Sequence, residues 1–400
     1  MSAFGLFEAF GVELEYMLVD GRTLAVLPAV DRLLEGAAGA VVDDVERDAF
    51  AWSNELVLHV LEIKTNGPAR SLTWLADGFQ REVAAVRAIA GGLGGRLLPT
   101  AMHPWMDPRT ETRLWPHGSN EVYAAFDRIF GCRGHGWSNL QSAHLNLPFR
   151  GDDEFGRLHA AVRFLLPVLP ALAASSPVVE RRPTGRLDNR LDAYRRNCAR
   201  IPSVTGQVVP EPVFTRADYE RTILGRMYDD IAPHDPEGTL RDEWLNARGA
   251  IARFSRGSIE IRVLDAQECP AADLAILEAV VAALRALAEE RWVSMRELQA
   301  WPVAPLAAIL DATIGGGEAA MVADADYLRC LGVARPCSAG ELWRRLADAL
   351  LDPVPAPLQT ILEQGTLARR ILRALDSGRP LESVYGSLGD CLDRGTMFVA

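Results

Sequence analysis

The chain has 400 residues, 49% of them hydrophobic, and a formal net charge of −11. This length suffices for one large domain or two ordinary ones, and no uncharged apolar run of 18 or more residues predicts a membrane span. The acidic balance argues against nucleic acid as a partner, because binding its phosphates requires a basic surface. The N-terminus lacks a signal-peptide pattern and the six cysteines are scattered, so we expect a cytoplasmic protein with reduced thiols.

Hydrophobic periodicity predicts a mixture of strands and helices along the chain. The pattern predicts an α+β fold, in which a mostly antiparallel sheet carries polar residues on one face and is backed by helices. We expect a single domain over 1–400, with the sheet and its helices in about 1–266 and a mostly helical part in about 267–400. The predicted elements are a strand at about 11–20, a helix at 28–36, a strand pair within 52–65, a helix at 71–92, a short strand in LLPTAMHP, a helix at 120–130, a strand at 142–149, a helix at 153–174, an arginine-rich loop at 177–212, a strand region within 243–266 and helices from about 270 onward.

The segment GVELEYMLVDG, residues 11–21, combines an apolar strand face with two acids on the other face. Its apolar residues recur at every second position, which places Glu13 and Glu15 together on the opposite face, about 7 Å apart. Two such acids either face water or face a cation. The pattern of this strand alone does not decide between these alternatives.

Three further segments add polar residues to the non-core face of predicted strands. Glu55 and Glu62 flank an apolar run, and they share a face if Glu55 ends one strand and Glu62 lies in the next. The segment SAHLN places His144 and Asn146 on one face, and SIEIRVLD does the same for Glu260 and Arg262. So many carboxylates close together need counter-charge, and oxygen-rich sites with one histidine suit Mg²⁺ or Mn²⁺.

The order of these motifs resembles glutamate–cysteine ligase family 2, the carboxylate–amine ligases, which are relatives of glutamine synthetase in fold. The resemblance covers about residues 8–380, and its specificity comes from the ordered set rather than from any one motif. Two looser similarities lie in Ser175-Ser176-Pro177 and in the segment GTLARRIL near the C-terminus. The motifs that carry the resemblance are GVELE at 11–15, NEL and LEIKT within 54–65, HP at 103–104, SAHLN at 142–146 and SIEIRVLD at 258–265.

The resemblance implies a curved, mostly antiparallel sheet whose concave face is the active site, with a helical C-terminal third. It implies that ATP enters one end with two or three Mg²⁺ ions and that glutamate and the amine acceptor enter the other. Arg262 falls where an arginine would contact the γ-phosphate or the acyl phosphate, with Glu260 holding a metal beside it. The positions implied as metal ligands are Glu13, Glu15, Glu55, Glu62, His144 and Glu260.

The chemistry of such a ligase fits these residue types. ATP phosphorylates a carboxylate, an amine attacks the acyl phosphate, and metal ions neutralise the phosphates, so that no P-loop is needed. Arginine matches planar carboxylates and phosphates, and Arg190 is our candidate for the substrate carboxylate, with Arg195 and Arg196 as rivals. Arg248, Arg253 and Arg256 are further candidates without separate roles, and His103 and Trp105 could line the pocket or only shape the fold.

The leading prediction is therefore an ATP- and Mg²⁺-dependent ligase that joins a carboxylate to an amine. The resemblance implies the γ-carboxyl of glutamate as the acid and cysteine or another amino compound as the amine. Two alternatives stay open: a ligase for a different acid and amine in a specialised pathway, and a catalytically silent relative that binds nucleotide. The expected partners are small-molecule substrates, with no membrane and no nucleic acid. The helical C-terminal third could offer a surface for a homodimer.

Overall fold

The structure is a computed structural model and describes residues 4–400. Its centre is an eight-stranded antiparallel sheet in the order β2-β3-β4-β1-β6-β10-β9, with β5 paired to the second half of β1. Two small hairpins, β7–β8 and β11–β12, lie outside this sheet. The strands are β1 Gly11–Asp20, β2 Asp44–Arg47, β3 Phe50–Asn54, β4 Val60–Thr65, β5 Gly95–Leu98, β6 Ser142–Pro148, β7 Val178–Val179, β8 Arg182–Pro183, β9 Ala250–Arg253, β10 Ser258–Asp265, β11 Met321–Val322 and β12 Cys337–Ser338.

Helices account for most of the remaining chain and dominate it after residue 270. None of the helices in residues 4–400 is both long and apolar enough to cross a membrane. The helices are α1 Val30–Ala38, α2 Leu75–Gly92, α3 Pro108–Glu111, α4 Asn120–Phe130, α5 His135–Ser138, α6 Gly151–Leu165, α7 Pro170–Ala173, α8 Asn189–Tyr194, α9 Arg216–Tyr219, α10 Arg226–Ile231, α11 Pro270–Ala288, α12 Met295–Ala300, α13 Val303–Gly316, α14 Ala325–Arg329, α15 Ala339–Leu350, α16 Ala356–Gln364, α17 Leu367–Asp376 and α18 Leu381–Arg394.

Strand β1 lies at the middle of the sheet and separates two environments. Val12, Leu14, Tyr16 and Leu18 point into the main apolar core, as the alternation predicts. The other face is polar only in the first half of the strand. Further along, Met17 and its neighbours on that face join a second apolar cluster, which α17 and α18 cover with Leu367, Ile371, Val384 and Leu388. The C-terminal helices therefore limit the polar surface to one part of the sheet.

The predicted helix at 153–174 is shorter than expected. Helix α6 ends at Leu165, a single 3₁₀ turn follows at Leu166–Val168, and α7 starts at Pro170. Pro167 and Pro170 explain the interruption, because proline has no backbone N–H to donate and its ring clashes with the preceding turn. The stretch 177–212 is mostly loop, as predicted, but it also contains the hairpin β7–β8 and helix α8.

The two predicted parts of the chain contribute to the same apolar core. Leu145 of β6 and Leu277 of α11 belong to one cluster of buried residues, so the helical part packs directly behind the sheet. The division of a single domain near residue 266 stays a prediction. The six cysteines form no disulfide in the structure.

Candidate active site

A cavity of about 970 Å³ lies on the polar face of the sheet. Strands β1, β2, β3, β4, β6, β9 and β10 contribute to its lining, together with residues of α4, α5, α8 and of several loops, among them the segment before β9. Such a volume suits small-molecule ligands. Of the predicted metal ligands, all six line this cavity: Glu13, Glu15, Glu55, Glu62, His144 and Glu260.

Glu13 and His144 form a close pair at the centre of the cavity. Their Cα atoms are register partners across β1 and β6, and His144 Nδ1 lies 2.8 Å from Glu13 Oε2. Asn146 Nδ2 donates to the other Glu13 oxygen at 3.1 Å. Burial raises the pKa of the Glu13 carboxyl, but the hydrogen bond and positive charge of His144 outweigh burial and lower that pKa to about 2. Burial lowers the pKa of His144, but Glu13 and Glu15 outweigh it and raise that pKa to about 9.

Glu15 lies two residues further along the same strand face. Its Oε2 accepts hydrogen bonds from the backbone N–H of Ser142 at 2.7 Å and from the Ser142 hydroxyl at 3.0 Å. The same hydroxyl lies 2.9 Å from His144 Nε2. Ser142 therefore fixes both side chains, and the Glu15 carboxylate keeps one oxygen directed toward His144 at 3.8 Å.

Glu62 and Glu55 come from β4 and from the residue just after β3, which satisfies the condition under which they share a face. Glu62 accepts from Ser53 Oγ at 2.8 Å and lies 3.1 Å from Lys64 Nζ. Burial and the nearby Glu13 charge still raise the pKa of Glu62 to about 7. Burial and the charges of Glu15 and Glu62 raise the pKa of Glu55 well above its ordinary value.

Glu260 is the best neutralised acid of the group. Arg262 donates to its Oε1 from Nε at 3.0 Å and from Nη2 at 2.5 Å, and Arg253 Nη1 lies 3.3 Å from Oε2. Burial raises the pKa of Glu260, but the Arg262 charge outweighs it, so the pKa lies below its ordinary value. Strand β10 places Glu260 and Arg262 on the cavity face, with Ile259, Ile261 and Val263 in the core, as the alternation predicts.

Donor atoms around His144 lie close enough to one another to share a divalent cation. Two groups have ligand atoms within 4.8 Å of one another, and both use His144: one adds Glu13 and Glu260, the other Glu15 and Glu62. Carboxylate oxygens with one imidazole nitrogen suit Mg²⁺ or Mn²⁺. Glu55 belongs to neither group. Burial, followed by the charges of neighbouring carboxylates, raises the pKa of Glu55 and Glu62, and a bound cation would oppose this effect. The donor set therefore fits a bound divalent cation.

Arg190 lines the cavity, and hydrogen bonds to neighbouring residues fix its guanidinium. Its Nε donates to Asp265 Oδ1 at 2.5 Å, and its Nη1 donates to the backbone oxygen of Arg262 at 3.2 Å. Within residues 4–400 its buried Nη2 has no hydrogen-bond partner. Arg190 therefore combines a fixed, buried guanidinium that lines the cavity with one nitrogen whose hydrogen bond is unmet.

The other candidate arginines differ in position. Arg248 does not line the cavity and makes a two-pronged ion pair with Glu211, at 2.5 Å and 2.6 Å, so the structure does not bring it to the site. Arg195 and Arg196 pair with Asp192 beside α8 and lie outside the lining as well. Arg256 is exposed, lines the cavity and lowers the pKa of Glu13 through its charge, after the larger contribution of His144.

His103 and Trp105 also lie outside the cavity lining. His103 Nε2 lies 2.7 Å from the backbone oxygen of Leu24, and Trp105 packs edge-on against His103 and Tyr385. Both residues shape the fold in this structure. The sequence left open whether these two residues line the pocket or only shape the fold, and their positions favour the second alternative.

Several cavity residues were not identified from the sequence. Lys64 follows Glu62 by two positions, so strand alternation alone could have placed it on the same face. Ser142 could have been found in the same way, two residues before His144. No sequence signal points to Tyr123 and Trp137, because they come from helices that only the tertiary structure brings to the cavity. Trp244 begins the segment WLNARGAIARFSR, which matches the family pattern only loosely and does not by itself place this side chain in the cavity.

Comparisons with known sequences show the family to which the chain is similar. The family model described as glutamate–cysteine ligase family 2 matches residues 9–385. A protein of Archaeoglobus fulgidus, named "Uncharacterized protein", is 30% identical over 391 residues, which are 97% of this chain and 100% of that protein. A protein of Rubrobacter xylanophilus, named "Putative glutamate--cysteine ligase 2-3", is 29% identical over 283 residues, which are 70% of this chain and 69% of that one.

Solved structures show the same fold. The glutamate–cysteine ligase of Francisella tularensis in complex with AMP superposes with a TM-score of 0.58 at 13% identity, covering 97% of this chain and 88% of that one. A bifunctional glutathione synthetase from Pasteurella multocida superposes with a TM-score of 0.57 at 14% identity, covering 98% of this chain and 52% of that one. The predicted fold class, an antiparallel sheet with a helical C-terminal region, is confirmed by the first of these.

Proposed function

The chain belongs to glutamate–cysteine ligase family 2, and from this premise we propose that it is an ATP-dependent carboxylate–amine ligase. In the proposed reaction the γ-carboxyl of glutamate is the activated acid, and an amino compound such as cysteine is the acceptor. The single observation that carries the proposal is the cluster of five carboxylates and one histidine in one cavity, with Arg262 beside it. This set matches the needs of a metal-bound nucleotide and a transferring phosphoryl group.

The proposed metal ligands are Glu13, Glu15, Glu55, Glu62, His144 and Glu260. Mg²⁺, or Mn²⁺ in its place, would neutralise the phosphates of ATP and the charge that develops during phosphoryl transfer. In the absence of a metal, the charges of Arg262 and Lys64, and that of His144 when it is protonated, supply part of the compensating charge. The negative charges of Glu55 and Glu62 are the least compensated, and a bound cation would therefore stabilise these two carboxylates most.

Arg262 and Arg190 are the proposed contacts to the reacting groups. Arg262 lies on the cavity face of β10 and is held by Glu260, which fixes the plane of its guanidinium. We assign it to the transferring phosphoryl group. Arg190, with its free Nη2, is assigned to a carboxylate of the acid substrate, and Arg256 at the exposed rim is assigned to substrate binding. Arg248 is not retained in this role, because Glu211 and backbone oxygens occupy its donors.

The proposed reaction has two steps. In the first, a carboxylate oxygen of the acid forms a bond to the γ-phosphorus of ATP, the bond from that phosphorus to the β,γ-bridging oxygen breaks, and ADP leaves. In the second, the lone pair of an uncharged amine nitrogen forms a bond to the acyl carbon, the bond from that carbon to the phosphate oxygen breaks, and phosphate leaves. The nitrogen then releases one proton to give a neutral amide. A guanidinium over the phosphoryl oxygens stabilises the charge that spreads over them in the first step.

An isotope experiment tests the proposed route. Glutamate labelled with oxygen-18 in its γ-carboxyl is incubated with the protein, ATP, Mg²⁺ and cysteine. We expect one labelled oxygen in the released phosphate and ADP as the nucleotide product. Release of AMP and pyrophosphate, with no label in phosphate, would point to an adenylate and overturn the acyl phosphate. If a broad set of acids and amines yields no ADP at all, the protein is a nucleotide-binding relative without ligase activity.

A further inference from the structure

The cavity has an aromatic side that the proposed chemistry does not use. Phe126, Trp137 and Trp244 line it, and each is only partly buried. The ring centroids of Phe126 lie 5.2 Å from those of Trp137 and 5.7 Å from those of Trp244, with tilted planes. We call these three residues the aromatic wall. Leu140 and Leu245 extend its apolar surface along the same cavity.

The aromatic wall is built by three separate segments of the chain. Phe126 belongs to α4, Trp137 to α5, and Trp244 to the 3₁₀ turn Glu243–Leu245 before β9. Three independent segments that present their rings to one cavity form a site rather than the repeating stripe of a single helix. The Nε1 atom of Trp137 is buried and has no acceptor within residues 4–400, so the wall also holds an unused hydrogen-bond donor.

The position of the wall relates it to the substrate end of the proposed site. Helix α5 directly precedes β6, whose first residue, Ser142, binds Glu15. Helix α5 also packs against α8, which carries Arg190 and Tyr194, and both of these line the cavity. The wall therefore lies on the side of the cavity where Arg190 offers its free donor, rather than at the Asn146 end of β6.

The charge of this side indicates which substrate it receives. An acid substrate is anionic and is suited to the arginines. The amine that attacks the acyl phosphate must be uncharged, and the side chains of Phe126, Trp137 and Trp244, which line the cavity, carry no charge. Aromatic rings in tilted contact bind a further ring well, because ring edges and faces attract one another. The small thiol side chain of cysteine would leave most of this surface uncovered.

We propose that the aromatic wall is the acceptor subsite and that the preferred amine carries an aromatic ring or a flat apolar group of similar size. This inference rests on the proposed ligase function and specifies the class of its second substrate. Phe126 and Trp244 pack against the ring of the amine, and Trp137 Nε1 donates a hydrogen bond to a polar group of the same substrate. Cysteine is then a poor acceptor for this chain.

The test is an acceptor panel with glutamate, ATP and Mg²⁺, read by ADP release and by mass detection of the amide. The panel compares cysteine and alanine with phenylalanine, tyrosine and phenethylamine. We expect kcat/KM for the best aromatic amine to exceed that for cysteine by at least about tenfold, which is the discrimination one well-packed apolar group can give. ADP release with cysteine at equal or higher kcat/KM would overturn the inference while leaving the ligase function standing.

Variants locate the effect. Phe126→Ala and Trp244→Leu should each raise KM for the aromatic amine at least fivefold and leave KM for ATP within twofold. Phe130→Ala is the matched control: Phe130 belongs to the same helix and touches Phe126 and Trp137, with centroids 6.0 Å and 5.6 Å away, but it does not line the cavity. It should leave the preference unchanged. If Phe126→Ala and Trp244→Leu raise KM for ATP instead, the wall holds the nucleotide base and the inference is wrong.

A conservative variant keeps the test independent of folding. Trp137→Phe retains a ring and removes only the Nε1 donor, so it should fold as the parent does, judged by circular dichroism. We expect it to reduce the preference for tyrosine or phenylalanine over phenethylamine, because the last lacks a carboxylate that could accept from Nε1. An unchanged preference among these three would remove the hydrogen-bonding role of Trp137. Equal kcat/KM for phenethylamine and alanine would remove the aromatic subsite itself.

Discussion

Two groups of buried charges in this protein behave differently. Arg370 and Glu268 are both fully buried and hydrogen-bonded to each other, and the backbone of Phe398 bonds to both. Within residues 4–400, Arg370 Nη2 and Glu268 Oε2 have no hydrogen-bond partner, so the pair is balanced in charge but not in hydrogen bonds. One positive charge meets one negative charge, and the pair ties the C-terminus to the segment that follows β10. In the cavity, by contrast, the five predicted metal-binding carboxylates together have ion pairs, among the described residues, with His144, Lys64, Arg253 and Arg262.

The difference teaches how to separate structural from functional charge. In a balanced buried pair the two charges neutralise each other, and removing one partner leaves an uncompensated charge. In an unbalanced cluster the pKa values of some members move away from their ordinary values, as for Glu55 and Glu62. The missing positive charge is then supplied by a ligand such as a cation. The first kind therefore affects the free energy of unfolding, and the second affects binding and turnover.

The largest expected effect is on turnover, from Glu13→Gln and Glu15→Gln. Each change keeps the side-chain volume and removes a ligand charge from the cluster. We expect turnover to fall below detection while circular dichroism and melting temperature show a folded protein. Fewer repelling carboxylates could even raise the melting temperature without metal. Glu35→Gln, at an exposed glutamate of α1, is the control and should retain full activity. Normal turnover in both cavity variants would remove the metal assignment.

The next effect is on stability, from Arg370→Met. This change leaves the Glu268 carboxylate buried without its partner, which should lower the free energy of unfolding by about 3–5 kcal/mol. Urea unfolding measures it. Mg²⁺ with ATP should not restore the loss specifically, because the pair lies outside the cavity lining. A variant as stable as the parent would show that the balanced pair has no structural role, and the comparison between the two groups would fail.

A smaller effect is expected from Arg262→Lys. Lysine keeps the positive charge and loses the planar, two-pronged geometry. We expect kcat to fall more than tenfold, which is roughly 1.4 kcal/mol or more, with little change in KM for ATP. Glu260→Gln, as a companion variant, should mainly raise the Mg²⁺ concentration needed. Should Arg262→Lys weaken ATP binding and leave kcat intact, the catalytic role would pass to Arg256 or Arg253, which also line the cavity.

The smallest effect is expected from Lys64→Met. Lys64 Nζ lies 3.1 Å from Glu62 and 3.0 Å from Asp44, so it is a fixed cation at the edge of the cluster. Its removal increases the negative charge available to a divalent ion. We expect Mn²⁺ to bind more tightly, by less than about tenfold, since solvent reaches this side chain and screens its charge. Direct Mn²⁺ titration measures it, and Lys64→Arg is the charge-preserving control. Weaker Mn²⁺ binding would show that Lys64 instead holds Glu62 in place for the ion.

The sequence by itself determined the strands that form the site. Alternation in GVELE and SIEIRVLD separates core from cavity residues, because side chains on a strand point to opposite faces in turn. The ordered motifs also pointed to the family. Alternation did not decide whether Glu55 and Glu62 share a face, because that depends on where β3 ends and β4 begins.

Only the tertiary structure decided how residues on distant segments meet. The arginines Arg190 and Arg248 look equivalent in the sequence, yet Asp265 holds one at the cavity and Glu211 holds the other away from it. In the aromatic wall, Phe126 and Trp137 carry no sequence signal and Trp244 carries only a loose one. The three residues come from two helices and a turn whose relative positions depend on packing. Local periodicity fixes which face of an element is buried, whereas the partner of that face is chosen by contacts between segments far apart in the chain.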